Sequence, residues 1–343
     1  MTDTHTYNEI TTQSGALAKT LNLVLNKEVP TDSEDTTYVF SGCGTSFYLA
    51  ISAARFFQEV TGITAIAVPA SEIFLNKKQV FTPSKKYNLF TISRSGTTSE
   101  IIKAIKSIED DTKIRTFAVT CYQDSDMAQL VNYSINLDHI KEKSVVMTQS
   151  FTNMLYAIQL FAAKVAGNEK LLEELSKVPS VMPKVLEQVD EMKDLADKTS
   201  LKRFIFLGTG IYNGLAKEST LKLKEMTQTE CESYSNLEFR HGPISVVDDK
   251  TAVVLFATKK IEKFDRTLIK DIQSYGGYTV AIGDLPETDF ADKVINLNTT
   301  LSDEVRGVLM MPHMQMLAYY RALSIGLNPD QPRNLNQVVK ISI

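Results

Sequence analysis

The sequence predicts an α/β protein with two doubly wound, flavodoxin-like parallel sheets in tandem. Short β-branched and aromatic runs alternate with helical segments at the spacing of βαβ units, which favours parallel sheets. The order of strand, glycine-rich or hydroxyl-rich turn and helix recurs after residue 200, so the second half looks like a degenerate copy of the first. A length of 343 residues is enough for two domains of roughly 150 residues each.

The first half alternates predicted helices with predicted strands. Leu17, Leu21 and Val24 lie at helical spacing and predict a docking helix over residues 14–28. Thr97 and Glu100 have the spacing of a capping box, which predicts that a helix begins there. The remaining elements are predicted strands at 37–40, 63–68, 87–92 and 115–120, and helices at 47–60, 101–108 and about 155–165.

A charged stretch separates the two halves. Residues 169–199 mix Glu, Lys and Asp with Leu, Val and Met, which is typical of a solvated helical connector. The predicted organisation is therefore an N-terminal helical segment, a first domain, a connector, and a second domain with a C-terminal tail. The corresponding ranges are 1–34, 35–168, 169–199 and 200–343.

The second half repeats the pattern without repeating every turn. Predicted strands lie at 203–207, 252–256, 278–282 and 294–297, and a helix starts near Asn213. A closing helix over 302–326 is expected to be interrupted near Pro312. No second Ser-Arg-Ser-Gly turn occurs, because residues 256–259 stand in that place. One phosphate site per chain follows.

Composition excludes several function classes. The hydrophobic fraction of 43% and the charged fraction of 23% are ordinary for a soluble globular protein. A net charge of −4 without a basic run argues against nucleic-acid binding. The polar N-terminus and the lack of a long apolar stretch predict a cytoplasmic protein with no membrane contact. Three scattered cysteines and four scattered histidines predict neither a disulfide framework nor a metal site.

The turn at residues 93–98 is a candidate anion site. It follows a predicted strand and leads into a helix, so backbone N–H groups and hydroxyls converge where the helix dipole favours negative charge. It lacks a lysine of the Walker A type, which suggests a single phosphate held by neutral donors, as in a sugar phosphate. Arg94 either supplements those donors or faces solvent. The turn at 42–46 also follows a strand, and both turns are expected to form one site.

Two segments of the second half carry groups for chemistry. Glu218, Lys222 and Glu225 lie on one face of a predicted helix, either as a solvated ion pair or as functional groups. His241 stands just before Gly242 and Pro243 in a loop. Its imidazole either stabilises the turn or takes part in the reaction.

Together these segments resemble the SIS (sugar isomerase) phosphosugar-binding family over nearly the whole chain from about residue 35. The motifs are Gly-Cys-Gly-Thr-Ser at 42–46, Ser-Arg-Ser-Gly-Thr-Thr at 93–98, Leu-Lys-Leu-Lys-Glu at 221–225, Arg-His-Gly-Pro at 240–243 and Asn-Pro-Asp-Gln-Pro-Arg-Asn-Leu at 328–335. The chain is similar to the isomerase part of glucosamine-6-phosphate synthase without its glutaminase cysteine. Arg94-Ser95-Gly96, residues 147–152 and the ending look closer to AgaS-type ketose/aldose isomerases and amino-sugar-phosphate deaminases.

The resemblance implies a role for each matching residue. Glu225 matches the carboxylate that moves a proton between sugar C1 and C2, and Glu218 matches a supporting carboxylate. His241 matches an imidazole that helps to open the sugar ring, and a neighbouring subunit often supplies it, which implies a homodimer. Substrate-binding positions are Gly44, Thr45, Ser46, Ser93, Arg94, Ser95, Thr98, Val145 and Glu218.

The chemistry is consistent with these implied roles. One base close to two adjacent carbons can take a proton from one and return it to the other, which suits a partly buried glutamate. A histidine titrates in the range that ring opening needs. Deamination can use the same steps, followed by displacement of ammonia by water, and no metal or organic cofactor is required.

The C-terminal motif departs from the synthase. Gln337 stands where the synthase has a lysine that engages the open sugar, and the nearest lysine is Lys340. This weakens amination and leaves isomerisation or deamination of a hexosamine 6-phosphate or related ketose phosphate. A deglycase acting on a phosphorylated fructosamine is an alternative enzyme. A sugar-phosphate sensor is a non-catalytic alternative, although phosphate binding alone would need neither Glu225 nor His241.

Overall fold

Two five-stranded parallel sheets form the centres of two separate units in the part of the chain that the structure describes. The structure is a computed structural model that describes residues 4–30, 35–285 and 289–338. The N-terminal unit comprises Thr12–Pro179 with Asn336–Ile343, and the C-terminal unit comprises Ser180–Leu335 with Met1–Thr11. The first helix, α1 (His5–Thr11), therefore belongs to the C-terminal unit.

The sheet of the N-terminal unit has the strand order β2-β1-β3-β4-β5, and all of its pairings are parallel. Its strands are β1 (Thr36–Gly42), β2 (Ala65–Pro69), β3 (Lys86–Ile92), β4 (Ile114–Thr120) and β5 (Tyr133–Asn136). Its helices are α2 (Gln13–Leu25), α3 (Thr45–Thr61), α4 (Ala70–Leu75), α5 (Lys77–Val80), α6 (Ser99–Lys106), α7 (Asp126–Leu130), α8 (Gln149–Val165) and α9 (Glu169–Ser176). Helices follow the strands as crossover connections, as a parallel sheet requires.

Aromatic side chains fill the core beneath α3 and α8. Phe40, Phe90 and Phe117 come from three adjacent strands, with ring centroids 5.2 Å apart for the first pair and 5.8 Å for the second. Phe57 of α3 and Phe161 of α8 pack onto them from the helix layer. Sheets covered in this way carry nearly continuous apolar strands, which explains why the sequence pattern identified β1, β3 and β4.

The sheet of the C-terminal unit has the order β10-β9-β8-β6-β7, again all parallel. Its strands are β6 (Arg203–Leu207), β7 (Glu230–Tyr234), β8 (Thr251–Phe256), β9 (Tyr278–Gly283) and β10 (Lys293–Asn296). Its remaining helices are α10 (Val178–Gln188), which starts just before the unit boundary, α11 (Met192–Ala196), α12 (Tyr212–Thr227), α13 (Glu262–Ser274) and α14 (Asp303–Ser324).

Both sheets have the same winding. In each, the first strand lies between the second and the third, and the fourth and fifth extend the sheet beyond the third. This is the flavodoxin-like order, so the predicted tandem of doubly wound domains is confirmed. In such sheets, ligands bind beyond the carboxyl ends of the strands where the winding reverses, which is between β1 and β3 and between β6 and β8.

Three local predictions differ from the structure. The closing helix α14 continues through Pro312 instead of stopping there, since nearly all of its residues are buried and tertiary packing outweighs the lost backbone hydrogen bond. Helix α6 begins at Ser99 with Thr98 at the N-cap and no side-chain cap bond, so the predicted capping box of Thr97 and Glu100 is wrong. Strands β5 and β7 were not predicted, because short edge strands carry few apolar residues.

The charged segment at 169–199 contributes to packing as well as to the surface. Leu175, Met182 and Leu195 on its helices are fully buried. Periodic apolar positions on these helices are therefore buried, while most of the Glu and Lys residues between them face solvent.

The C-terminal motif at 328–335 anchors the first helix of the chain. Asp330 accepts hydrogen bonds from the backbone N–H groups of His5 and Thr6, both at 2.8 Å, and from the Thr6 hydroxyl. Burial raises the pKa of Asp330, but these bonds outweigh it and hold the pKa below its ordinary value. Across the described ranges, every helix is too short or too polar to cross a bilayer.

Candidate active site

The turn at residues 93–98 forms a compact cluster of hydroxyls between β3 and α6. The Ser93 hydroxyl lies 3.0 Å from the Thr98 hydroxyl and accepts a hydrogen bond from the Gly96 N–H at 3.1 Å. Ser95 accepts one from the Thr97 N–H at 3.2 Å. Gly96 has a φ of +64°, and a Cβ there would lie 2.1 Å from the Ser125 hydroxyl oxygen, so only glycine fits this turn.

The turn at residues 42–46 leaves the neighbouring strand at the same edge of the sheet. β1 and β3 are hydrogen-bonded in parallel with Ser41 opposite Thr91, so their carboxyl ends lie side by side. Gly44 is the N-cap of α3, and Thr45 and Ser46 open that helix with their side chains largely buried. Both turns and the N-termini of α3 and α6 therefore lie at the same edge of this sheet, and a shared anion site there stays a prediction.

Arg94 points into the protein rather than to solvent, which excludes one of its two predicted orientations. Only 8% of the residue is exposed. Its guanidinium donates to the Glu142 carboxylate at 2.7 Å, to the Ser144 carbonyl at 3.1 Å and to the Val145 carbonyl at 2.9 Å. Arg94 thus fixes the loop before α8 against the turn at residues 93–98.

Glu142 is a buried acceptor of several hydrogen bonds, and the sequence pattern did not identify it. Its buried carboxylate also accepts hydrogen bonds from the backbone N–H groups of Thr148 at 2.8 Å and of Ser150 at 3.2 Å. The Ser150 hydroxyl donates to it as well. A negative charge at this position stabilises the N-terminus of α8, and the ion pair with Arg94 compensates its burial.

Gln337 lies against the same loop. Its side-chain amide donates to the Lys143 carbonyl at 2.8 Å and to the Ser144 carbonyl at 3.1 Å. Its own carbonyl lies 3.4 Å from the Arg94 guanidinium. The position at which the synthase has a lysine is therefore occupied by an amide bound to protein carbonyls, and Lys340 lies outside the described residues.

Helix α12 presents Glu218, Lys222 and Glu225 as one cluster. Lys222 is fully buried, and its ammonium lies 3.4 Å from the Glu218 carboxylate and 2.5 Å from the Glu225 carboxylate. Burial alone would lower the pKa of Lys222, but the two carboxylates outweigh it and raise the pKa above its ordinary value. Glu225 keeps 19% of its side chain exposed, whereas Glu218 keeps 1%. The solvated ion pair considered from the sequence is thus a buried one, with Glu225 as its accessible member.

His241 lies on an exposed loop of the C-terminal unit. A short 3₁₀ helix, Glu238–Arg240, precedes it, and its N–H donates to the Glu238 carbonyl at 3.0 Å. Gly242 follows with a φ of +113°, which favours glycine. Arg240 forms an ion pair of 2.7 Å with Asp271 of α13 and ties the loop to that helix. The imidazole is accessible in a single chain.

The equivalent edge of the second sheet is acidic. Where α6 begins with hydroxyls, α13 begins with Glu262 and Asp265. Lys259 follows β8. Its backbone N–H donates a hydrogen bond to the Asp303 carboxylate, and its ammonium lies 3.7 Å from the Asp284 carboxylate. The two edges therefore carry different side chains, and one phosphate site per chain stays a prediction.

Possible metal ligands are scattered in the described part of the chain. Groups of three or more His, Cys, Asp or Glu side chains able to hold an ion do not occur among those residues. The cysteines there are separate thiols. Burial raises the pKa of Cys43 to about 12, and the nearby Glu100 adds to the shift, so this thiol beside the phosphate turn stays protonated.

A family model agrees with the repeated fold. The SIS domain matches twice, at residues 33–164 and 197–324. The chain belongs to the SIS domain family. Both SIS segments coincide with the two parallel sheets described above.

Several known proteins are similar to this chain over most of its length. The glutamine–fructose-6-phosphate aminotransferase of Methanothermobacter thermautotrophicus is 26% identical over 308 residues, which are 88% of this chain and 51% of that protein. The chain thus spans about half the length of such curated relatives. A glucosamine-6-phosphate deaminase structure from Thermotoga maritima is 28% identical with a TM-score of 0.83, covering 98% of this chain and 99% of that one.

A second solved structure is also similar over nearly the whole chain. The structure of a putative tagatose-6-phosphate ketose/aldose isomerase from Clostridium novyi is 25% identical with a TM-score of 0.87, covering 99% of this chain and 94% of that one. The names of these proteins support an enzyme, as predicted, rather than a non-catalytic module.

Proposed function

We propose that this protein is a phosphosugar isomerase or deaminase that acts on a hexosamine 6-phosphate or a related ketose or aldose 6-phosphate. The observation that carries the proposal is the buried Lys222 ammonium 2.5 Å from the accessible Glu225 carboxylate. A site that only bound phosphate would not need a carboxylate held in this way. The family of the chain and the names of its relatives support the same class of substrate.

The phosphate turns supply recognition in this proposal. Ser93, Ser95 and Thr98, with Thr45 and Ser46, donate hydrogen bonds to the phosphate, and the N-termini of α3 and α6 add favourable dipoles. Arg94 contributes by fixing the turn and the Val145 loop, since its guanidinium is already bonded to Glu142 and to carbonyls.

The groups of the C-terminal unit supply the chemistry. Glu225 takes the proton from one of the two adjacent sugar carbons and returns it to the other, and Lys222 orients the carboxylate for both steps. His241 moves a proton between the ring oxygen and the anomeric hydroxyl during ring opening. Because His241 is exposed, it is also available to a second copy of the chain, and we propose a homodimer in which it is shared.

Gln337 favours isomerisation or deamination over amination. An imine with the open sugar requires a free amine, and the Gln337 amide cannot form one. In the deaminase case, the shift of the double bond to C2 leaves an imine, and water then displaces ammonia.

A substrate screen tests the proposal. Glucosamine 6-phosphate, galactosamine 6-phosphate and the corresponding ketose 6-phosphates are incubated with the protein, and ammonia and ketose formation are followed separately. Ammonia release identifies a deaminase, and aldose–ketose interconversion without ammonia identifies an isomerase. Binding of these sugars without any turnover would contradict the proposal and would favour a sensor.

A further inference from the structure

A buried pair of side chains connects the His241 loop to α13. The Asn236 side-chain amide donates a hydrogen bond of 2.8 Å to one oxygen of the Asp265 carboxyl group. Both residues have 0% exposure. Within the described ranges, the other Asp265 oxygen and the Asn236 side-chain oxygen have no hydrogen-bond partner. Two buried acceptors on the same pair of groups would each cost free energy.

One added proton can give both unpaired oxygens a hydrogen bond. A carboxylic acid and a primary amide can pair through two hydrogen bonds, each group donating one and accepting one. With the N–H···O bond already formed, a proton on the second Asp265 oxygen turns that oxygen into a donor, and the Asn236 oxygen is the unpaired acceptor of the same pair. We propose that Asp265 is protonated in the folded protein and, through this pair with Asn236, is a positioning residue for the loop that carries His241.

The charges around Asp265 agree with a neutral acid. On its own helix, Arg266 is bonded to Glu262, while Lys263 and Lys270 are exposed. On the loop, Arg240 is bonded to Asp271, and Glu238 and His241 are exposed. The strand residues in the core cluster beneath this face of α13 are apolar, namely Ile205, Leu207, Val253, Leu255 and Ala281.

This environment determines the direction in which the pKa of Asp265 shifts. Burial raises the pKa of Asp265 to about 7, against the opposing effect of the Asn236 bond, and the nearby Glu262 raises it further. An ionised Asp265 would have one amide donor and no facing cation, which does not compensate a buried charge.

The pair is one of several anchors of the loop, beside the fully buried Phe239 and the ion pair of Arg240 with Asp271. Asn236 also donates its backbone N–H to the Thr209 hydroxyl at 3.1 Å, so one residue connects the end of β6, the loop and α13. Five residues later the chain reaches His241. The role of the pair in catalysis rests on the proposed function, whereas its protonation does not.

Opening of the loop that carries His241 should increase with pH. When the loop opens, Asp265 regains an ordinary pKa of about 3.9. Between that value and about 7 the closed loop binds a proton that the open loop does not, so opening increases with pH. The increase is roughly tenfold per pH unit and levels off above the pKa of the closed state.

Hydrogen–deuterium exchange of residues 235–241 in the whole protein tests the proposal without any turnover. After correction for intrinsic exchange, the wild type should show about a fiftyfold rise in loop opening between pH 5 and pH 7. Asp265→Asn keeps both hydrogen bonds without a titrating group, so its opening should be independent of pH over that range. The exchanged pair, Asn236→Asp with Asp265→Asn, should restore the wild-type rise.

Asp271→Asn is the matched control. It removes a polar tether of the same loop to the same helix, but Asp271 is open to solvent and ion-paired with Arg240. This variant should increase opening without altering the dependence on pH. A wild-type loop whose opening is constant from pH 5 to pH 7, or an Asp265→Asn variant that follows the wild-type rise, would overturn the proposal. Failure of the sugar screen with these exchange results intact would overturn the proposed function alone.

Discussion

Glu225 and Lys222 form the contact on which the proposed chemistry depends. The ammonium is buried between two carboxylates, so it remains charged and holds Glu225 in one orientation. Glu218, the more deeply buried partner, is a second carboxylate beside the same ammonium, and its side chain is only 1% exposed. At the scale of residues, the two glutamates of one helix differ in exposure, and their proposed roles differ accordingly.

Substitution of Glu225 tests its role as the proton carrier. Glu225→Gln keeps the shape of the side chain and removes the base, so kcat should fall by roughly 10²–10⁴ while KM changes by only a few-fold. Steady-state kinetics with the substrate found in the screen measure both constants. Lys224→Gln, an exposed charge change on the same helix, is the control and should leave kcat near the wild-type value. Unchanged turnover in Glu225→Gln would remove Glu225 from the mechanism.

The hydroxyls of the phosphate turn are expected to control KM. Ser93→Ala combined with Ser95→Ala deletes two hydrogen bonds to a charged group, so KM should rise on the order of a hundredfold or more. Inorganic phosphate, tested as a competitive inhibitor, should weaken in parallel. Ser107→Ala, at the other end of α6, serves as the control. An unaltered KM in the double variant would place the phosphate elsewhere.

At the scale of elements, the strand-to-helix turns depend on close backbone approach. A Cβ on Gly42 would lie 2.4 Å from the carbonyl carbon of Ser46, and a Cβ on Gly208 would lie 2.2 Å from the carbonyl oxygen of Tyr212. Both glycines follow the same pattern, in which the first strand of each sheet turns directly into a packed helix. The repeat is therefore one of backbone geometry, while the chemistry of the two turns differs.

Alanine substitutions separate geometry from binding. Gly42→Ala should displace the start of α3, which lowers stability by about 1–3 kcal/mol and raises the Kd for inorganic phosphate at least tenfold. Gly208→Ala should cost similar stability and leave phosphate binding unchanged, since its turn belongs to the other unit. Urea unfolding and calorimetric titration measure the two effects.

Gly15→Ala supplies the positive control for that series. Gly15 lies inside α2 with nothing within 4 Å of the added Cβ, so alanine there should stabilise the protein by about 0.5–1 kcal/mol. A Gly42→Ala protein with wild-type stability and phosphate affinity would contradict the close-packed turn.

Strands that are buried on both faces of the sheet were predictable from sequence, and a polar edge strand was not. The apolar runs of β1, β3, β6 and β8 identified central strands, whereas Glu230–Tyr234 alternates polar residues and was found only in the structure. Glu142 was missed for a related reason: its ion-pair partner, Arg94, lies 48 residues away in the sequence. Tertiary contacts that no local pattern encodes determine such residues.

At the scale of the whole molecule, buried titratable groups make stability depend on pH in two opposite ways. His313 of α14 is fully buried, and burial lowers its pKa to about 3, with a small further effect of Lys293. The unfolded chain binds a proton at this residue below pH 6.5 and the folded chain does not. Asp265 acts in the other direction, because its folded form binds the proton.

His313 should therefore limit stability in acid. As the pH falls from 6.5 to 4.5, the wild type should lose about 1.4 kcal/mol per pH unit relative to His313→Leu, which does not titrate. Urea unfolding of both proteins at several pH values measures the difference. His5→Leu, a histidine in the exposed first turn of α1, is the control. Parallel curves for wild type and His313→Leu would show that the imidazole is not buried in its neutral form.

Proton transfer at the sugar itself tests the central claim most directly. Glucosamine 6-phosphate or galactosamine 6-phosphate with deuterium at C2 is incubated with the wild type and with Glu225→Gln, and NMR follows the label. The wild type should move the deuterium to C1 or exchange it with solvent, and Glu225→Gln should leave it at C2. Equal loss of label from C2 in both proteins would contradict Glu225 as the group that moves the proton.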